Sequence, residues 1–191
     1  MKQAVAILLF LLTVSFTSFQ TPQVDKEEAR SAFELINRIR MSPKDFSRQL
    51  KVNINSVKPR AALIWNDTLA KVAEEKAMDM ATKNYFAHVD KSGYGINYYI
   101  NKAGYRLNPE WVKRKRDNNF ESLDAGAETG EKAVVDLVVD LNTAGHAHRN
   151  HLLGIDPWNA SLTDIGIGFV NGGERSQFKV YMCVIIAKHD W

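Results

Sequence analysis

The sequence has a single cysteine, Cys183, so no disulfide can form within the chain. Its fold must rest on a packed core. No H-E-x-x-H pair, no paired C-x-x-C and no G-x-S-x-G occurs, which removes the familiar zinc-protease, zinc-ribbon and serine-hydrolase signatures. Charge of one sign is also lacking: the net charge is only +3, too little to argue for nucleic acid or for a strongly anionic partner. Beyond the N-terminus no apolar run approaches the roughly 20 residues that a membrane span needs.

The one long apolar stretch is Ala4 to Leu12, preceded by Lys2 and followed by small and hydroxylated residues from Thr13 to Ser18. That order reads as a secretory signal peptide over residues 1–20. It implies a secreted or periplasmic protein with no transmembrane segment in the mature chain. Residues 21–25 form a short linker, and residues 26–191 are long enough for one domain.

Helical spacing of apolar residues runs from Lys26 to Arg40. Ser42-Pro43 opens a second short helix, with Ser42 as N-cap and proline at the first helical position. Lys51 to Pro59 has no period and reads as a loop. After Asn66, Leu69, Val72, Ala73, Ala77 and Met80 make one stripe, against which Trp65 is expected to be buried. Ile96 to Ala103 reads as a helix closed by Gly104. Glu131 to Leu141 is a further helix, with Val134, Leu137, Val138 and Leu141 as its buried stripe. The period then changes: Asp164–Val170 and Phe178–Ala187 are strands joined through Asn171-Gly172-Gly173. Helices first and a hairpin last imply an α+β layered domain. The Lys113-Arg114-Lys115-Arg116 run reads as a solvated loop, with contact to an anionic envelope surface as its functional alternative.

Histidine is scarce, five in all, yet His146, His148 and His151 fall within six residues. Imidazole titrates near neutrality and is a common metal ligand, so the cluster is a candidate site and, equally, a polar loop. Cys183 lies in an apolar strand and reads as a core residue rather than a nucleophile.

Six segments in order sharpen this reading. They are Asn37-Arg38-Ile39-Arg40, Leu63 to Leu69 around Trp65, Asn84-Tyr85-Phe86-Ala87-His88, Ala103-Gly104-Tyr105, His148-Arg149-Asn150-His151-Leu152-Leu153, and Asp164-Ile165-Gly166-Ile167-Gly168. Together they resemble the bacterial form of the CAP superfamily: cysteine-rich secretory, antigen 5 and pathogenesis-related 1 proteins, also called SCP-like extracellular domains. The resemblance covers about Arg30 to Lys188 and implies a three-layer α-β-α sandwich. It also implies a site built from His88, Glu121 and His148. Glu121 falls on the glutamate of the family's G-E-N motif, with Phe120 in place of glycine and Ser122 in place of asparagine. Asp140, with Asp136 behind it, best matches the family's second acidic residue, while His151 stands where asparagine is usual. Asp140, His146 and His151 are additional candidates.

Two imidazoles and one or two carboxylates in a cleft can hold a divalent ion such as zinc, or work as an acid–base pair. The reading is therefore an exported binding protein that takes a metal ion and a sterol, lipid or envelope ligand. A metal-assisted hydrolase acting on peptide or cell-envelope material is the alternative, and an adhesive envelope protein using the basic loop is a third.

Overall fold

Strand β5 (Val180–Ala187) is buried along its whole length. An eight-residue strand with no exposed side requires cover on both faces of its sheet. The structure is a computed structural model that describes residues 20–141 and 143–189. The apolar leader lies outside the described residues. Among the described residues five strands form the sheet: β1 (Gln23–Val24), β2 (Ile64–Trp65), β3 (Glu121–Ala125), β4 (Asp164–Asn171) and β5. The order is β1-β4-β5-β3; β2 joins the outer edge of β4 in parallel, while the other pairings are antiparallel.

Helix α3 (Asp67–Lys83) lies on one face of β4 and β5, and glycine permits its approach. A Cβ at Gly166 would stand 2.1 Å from the Ala70 nitrogen, and one at Gly168 would stand 2.3 Å from the Ala73 carbonyl carbon. The opposite face carries α1 (Lys26–Met41), α5 (Gly130–Val139) and α6 (Ala147–Leu153). Short helices α2 (Pro43–Phe46), α4 (Ile96–Lys102) and α7 (Pro157–Ala160) complete the three layers. This is the α-β-α sandwich that the motif order implies. Among the described residues no helix is long and apolar enough to cross a membrane.

Local signals account for most boundaries. Asp25 caps α1 by accepting from the Glu28 N–H, and Asn66 caps α3 by accepting from Thr68 and Leu69. The stripe Leu69, Val72, Ala73, Ala77 and Met80 is buried as expected. Three expectations are corrected. Helix α5 ends at Val139 because Asp140 takes the left-handed conformation (φ 47°), and this turns Leu141 outward to 80% exposure. Phe178 precedes β5 rather than joining it, its N–H bound instead to the Tyr181 hydroxyl. Trp65 is only partly buried: its ring meets Phe33 of α1 edge-on at 5.3 Å, and its Nε1 donates to Asp67.

Candidate functional site

The Asn84–His88 segment turns off the end of α3. Asn84 closes the helix in the left-handed conformation (φ 52°), its N–H bound to the Met80 carbonyl. Tyr85 follows and donates its hydroxyl to Asp79 at 2.6 Å; burial first, and then this carboxylate, push the phenol's pKa up. Phe86 packs edge-on against Phe178. The last two residues are held by their carbonyls: Lys76 of α3 donates to Ala87 O at 2.8 Å and to His88 O at 3.1 Å. Lys76 sits on the buried stripe of α3 at 6% exposure, a charged residue at an apolar position. That misplaced charge was a readable sign of a special role.

This frame delivers His88 to Glu121. His88 Nδ1 lies 2.7 Å from Glu121 Oε2; the carboxylate side chain is wholly buried and the imidazole is 46% exposed. An ionised carboxylate only accepts, so the facing Nδ1 carries a proton, and in the neutral ring Nε2 is then the acceptor. The other carboxylate oxygen receives the Cys183 thiol at 3.6 Å. Burial, and then the Glu121 charge, push that thiol's pKa well up, which keeps Cys183 protonated and unreactive. Phe120 precedes Glu121, which still meets His88. Phe120 is fully buried between Trp111 and Trp158.

His148 is built differently. Asp140, at the end of α5, accepts from the His148 and Arg149 backbone N–H groups at 3.0 and 3.2 Å. Its other oxygen lies 2.9 Å from His148 Nδ1, and Thr143 Oγ1 lies 3.2 Å from that nitrogen. Asp140 therefore caps α6 and fixes the ring of its first histidine. His146 is exposed, its Nδ1 donating to the Asp140 carbonyl at 2.9 Å. His151 is buried in the core, 2.7 Å from Ser122 Oγ. Asp136 is tied to Lys132 on the surface of α5.

Strand alternation decides how these groups relate. Glu121 pairs with Ile185, which pairs with Gly166, so all three point toward α3. Ser122 and Asp124 therefore point to the other face, toward α5 and α6. The His88–Glu121 pair belongs to the α3 side of β3, and the Ser122–His151 pair and Asp124 belong to the α6 side. His148 stands on the latter side, close enough for its charge to act on Asp124. Among the described residues, no group of three or more His, Cys, Asp or Glu side chains is placed to hold a metal ion. The sequence-based trio His88, Glu121 and His148 is thus divided between two histidine–carboxylate pairs.

The sequence matches the family described as "CAP: Cysteine-rich secretory protein family" over residues 33–185. The chain belongs to the CAP family. Two solved structures share the fold. One is an extracellular protein containing an SCP domain from Bacillus anthracis, with 23% identity, a TM-score of 0.52, and 85% of this chain covered but 41% of that one. The other is an outer surface protein from Borrelia burgdorferi, with 19% identity, a TM-score of 0.54, and coverage of 89% and 99%. No curated protein matches the sequence. Two departures from the CAP pattern, Ser122 and His151, prove to be partners. Asp124, which sequence reasoning passed over, lies just beyond them on β3 with Oδ2 buried and unpartnered.

Proposed function

We propose that this CAP domain is an exported binding protein whose ligand site centres on the His88–Glu121 pair. The observation that carries the reading is a wholly buried carboxylate spent on orienting a half-exposed imidazole. Burying a carboxylate is costly, and a surface histidine needs no such support to be stable. Fixing Nδ1 leaves Nε2 of the half-exposed ring as the acceptor or ligand, the arrangement that metal-bound histidines use. A divalent ion such as zinc would take His88 Nε2 as a ligand, Glu121 serving to orient the ring, but it needs further protein ligands that no cluster among the described residues supplies. An organic ligand, a sterol, lipid or envelope component, would meet the same nitrogen beside Phe86, which is 41% exposed. Export is supported by the apolar leader and by the extracellular and outer-surface descriptions of the two structural neighbours.

The metal-assisted hydrolase alternative would use a metal-bound water rather than the Cys183 thiol, which is buried and held protonated. Calorimetric titration with zinc at about pH 7.5 tests the metal reading, since imidazole must be neutral to coordinate. Wild type should bind, His88→Ala should not, and Glu121→Gln should weaken binding by about 10–100-fold. Loss in His148→Ala as well would mean that the two pairs close on one ion. Equal affinity in wild type and His88→Ala would overturn the reading.

A further inference from the structure

Arg40 is 2% exposed, and a guanidinium that deep normally has a carboxylate beside it. Among the described residues Arg40 has none. Its Nη1 donates to the Leu152 carbonyl at 2.7 Å, and its Nε is buried without any partner. A neighbouring charge, that of Arg60, is of the same sign. Arg60 donates its backbone N–H to the Arg40 carbonyl and its Nε to the Gly154 carbonyl, both at 2.9 Å. Burial, and then the Arg60 charge, lower the Arg40 pKa to about 10. Gly154 turns in the left-handed conformation (φ +63°) so closely around this pair that a Cβ there would stand 3.2 Å from Arg40 Nη1 and 3.3 Å from Nη2.

Helix capping accounts for part of this arrangement. Leu152 and Gly154 lie at the C-terminal end of α6, where carbonyls lack partners and the dipole favours cations. Capping uses one N–H of each guanidinium and offsets roughly half a unit of charge. Roughly one and a half units of charge remain, and Arg40 Nε is left without an acceptor. What this pair lacks is an anion with several acceptor oxygens, for which two converging arginine forks are well suited. Arg60 is partly exposed, while Arg40 is buried beside it at the Gly154 turn.

We propose that Arg40 and Arg60 form an oxyanion site that takes a phosphate group, free or carried on a larger ligand. The site lies at the ends of α1 and α6, on the face of the sheet opposite the His88–Glu121 pair. It does not depend on the function proposed for that pair.

The test is thermal unfolding with inorganic phosphate, ionic strength being matched with chloride, on wild type and Arg60→Gln. Phosphate should raise the wild-type midpoint saturably, because a ligand bound only to the native state stabilises it. Arg60→Gln should bind at least about tenfold more weakly, the loss of a charge-assisted contact. Without phosphate the variant should melt at or above wild type, since it relieves repulsion; with phosphate it should melt below. Glycerol phosphate as a second arm separates the sources. Tighter binding than inorganic phosphate assigns the site to a carried phosphate, and equal binding assigns it to the free ion. A wild type indifferent to both, an equal response in Arg60→Gln, or a variant that melts below wild type in both buffers would overturn the proposal and leave two helix caps.

Discussion

Ser122 and His151 each stand where the CAP pattern has asparagine, and they are hydrogen-bonded to each other at 2.7 Å across β3 and α6. The two substitutions make one buried polar contact, so neither is an isolated departure. Burial pushes the His151 pKa down to about 4, with the Ile186 backbone pulling the other way. The unfolded chain therefore takes up a proton near pH 6.5 that the native state refuses until about pH 4. This contribution to stability is complete above pH 6.5 and is lost as the pH falls toward 4, by on the order of 3 kcal/mol. Urea unfolding at several pH values should show His151→Asn losing this dependence. An unchanged slope in the variant would assign the dependence to other groups.

Asp124 works in the opposite sense. Burial, and then the charge of Asp136, raise its pKa to about 6, while the Ala127 N–H and the charges of Lys132 and His148 offset part of the rise. The native state holds this proton after the unfolded chain has released it near pH 3.8. Its stabilising effect is thus full below about pH 4 and gone above 6, the reverse of His151 over an overlapping window. Wild type should show a shallow profile between pH 4 and 6 because the two partly cancel. Asp124→Asn should stabilise at pH 7 by on the order of 1–2 kcal/mol, allowing for its partial exposure, and by nothing at pH 3.5. A variant less stable than wild type at pH 7 would refute this account.

Gly168 tests the closeness of helix and sheet. A Cβ there meets the Ala73 backbone at 2.3 Å, and no side-chain rotation can relieve a clash with backbone. Gly168→Ala should cost about 3 kcal/mol or more, at the upper end of overpacking effects. Gly126→Ala is the control for space, because a Cβ there meets nothing within 4 Å. Its loss should come only from the left-handed backbone (φ +95°), about 1 kcal/mol. Thermal midpoints falling equally in the two variants would mean that α3 yields.

What could be read from the sequence depended on the range over which its signal acts. The α3 stripe is a local pattern and emerged where the spacing put it, whereas the caps Asp25 and Asn66, equally local, were not singled out. The helix end at Val139 was missed because nothing in Asp140-Leu141 announces a left-handed aspartate; its reason lies in the bonds that Asp140 makes to α6. Strands β1 and β2 have two residues each and carry no period at all. The same holds at the site. His88, Glu121 and His148 were located by motif order, and Glu121 does meet His88. That they fall into two hydrogen-bonded pairs, His88 with Glu121 and His148 with Asp140, depends on contacts between distant segments, which no single segment encodes.

Asp140 holds His148 and α6 together, and Asp140→Asn isolates the part that its charge plays. Asparagine tolerates the left-handed backbone at this position, so the substitution leaves the end of α5 intact. Burial opposes ionisation of Asp140, but the bonds from Thr143, His148 and Arg149 outweigh it and hold the pKa below the ordinary 3.8. A depressed carboxyl stabilises above its unfolded pKa and loses that effect as the pH falls through its folded value. Asp140→Asn should therefore cost about 1–2 kcal/mol at neutral pH, as a charged helix cap does, and the difference should shrink below about pH 4. The second readout is the His148 ring. The Asp140 carboxylate accepts from Nδ1 and so selects the tautomer with a free Nε2. Nitrogen NMR of the imidazole should show that single tautomer in wild type and a mixture in Asp140→Asn. A destabilised variant with an unchanged tautomer would reduce Asp140 to a cap, and an unchanged stability and tautomer together would remove it from the site.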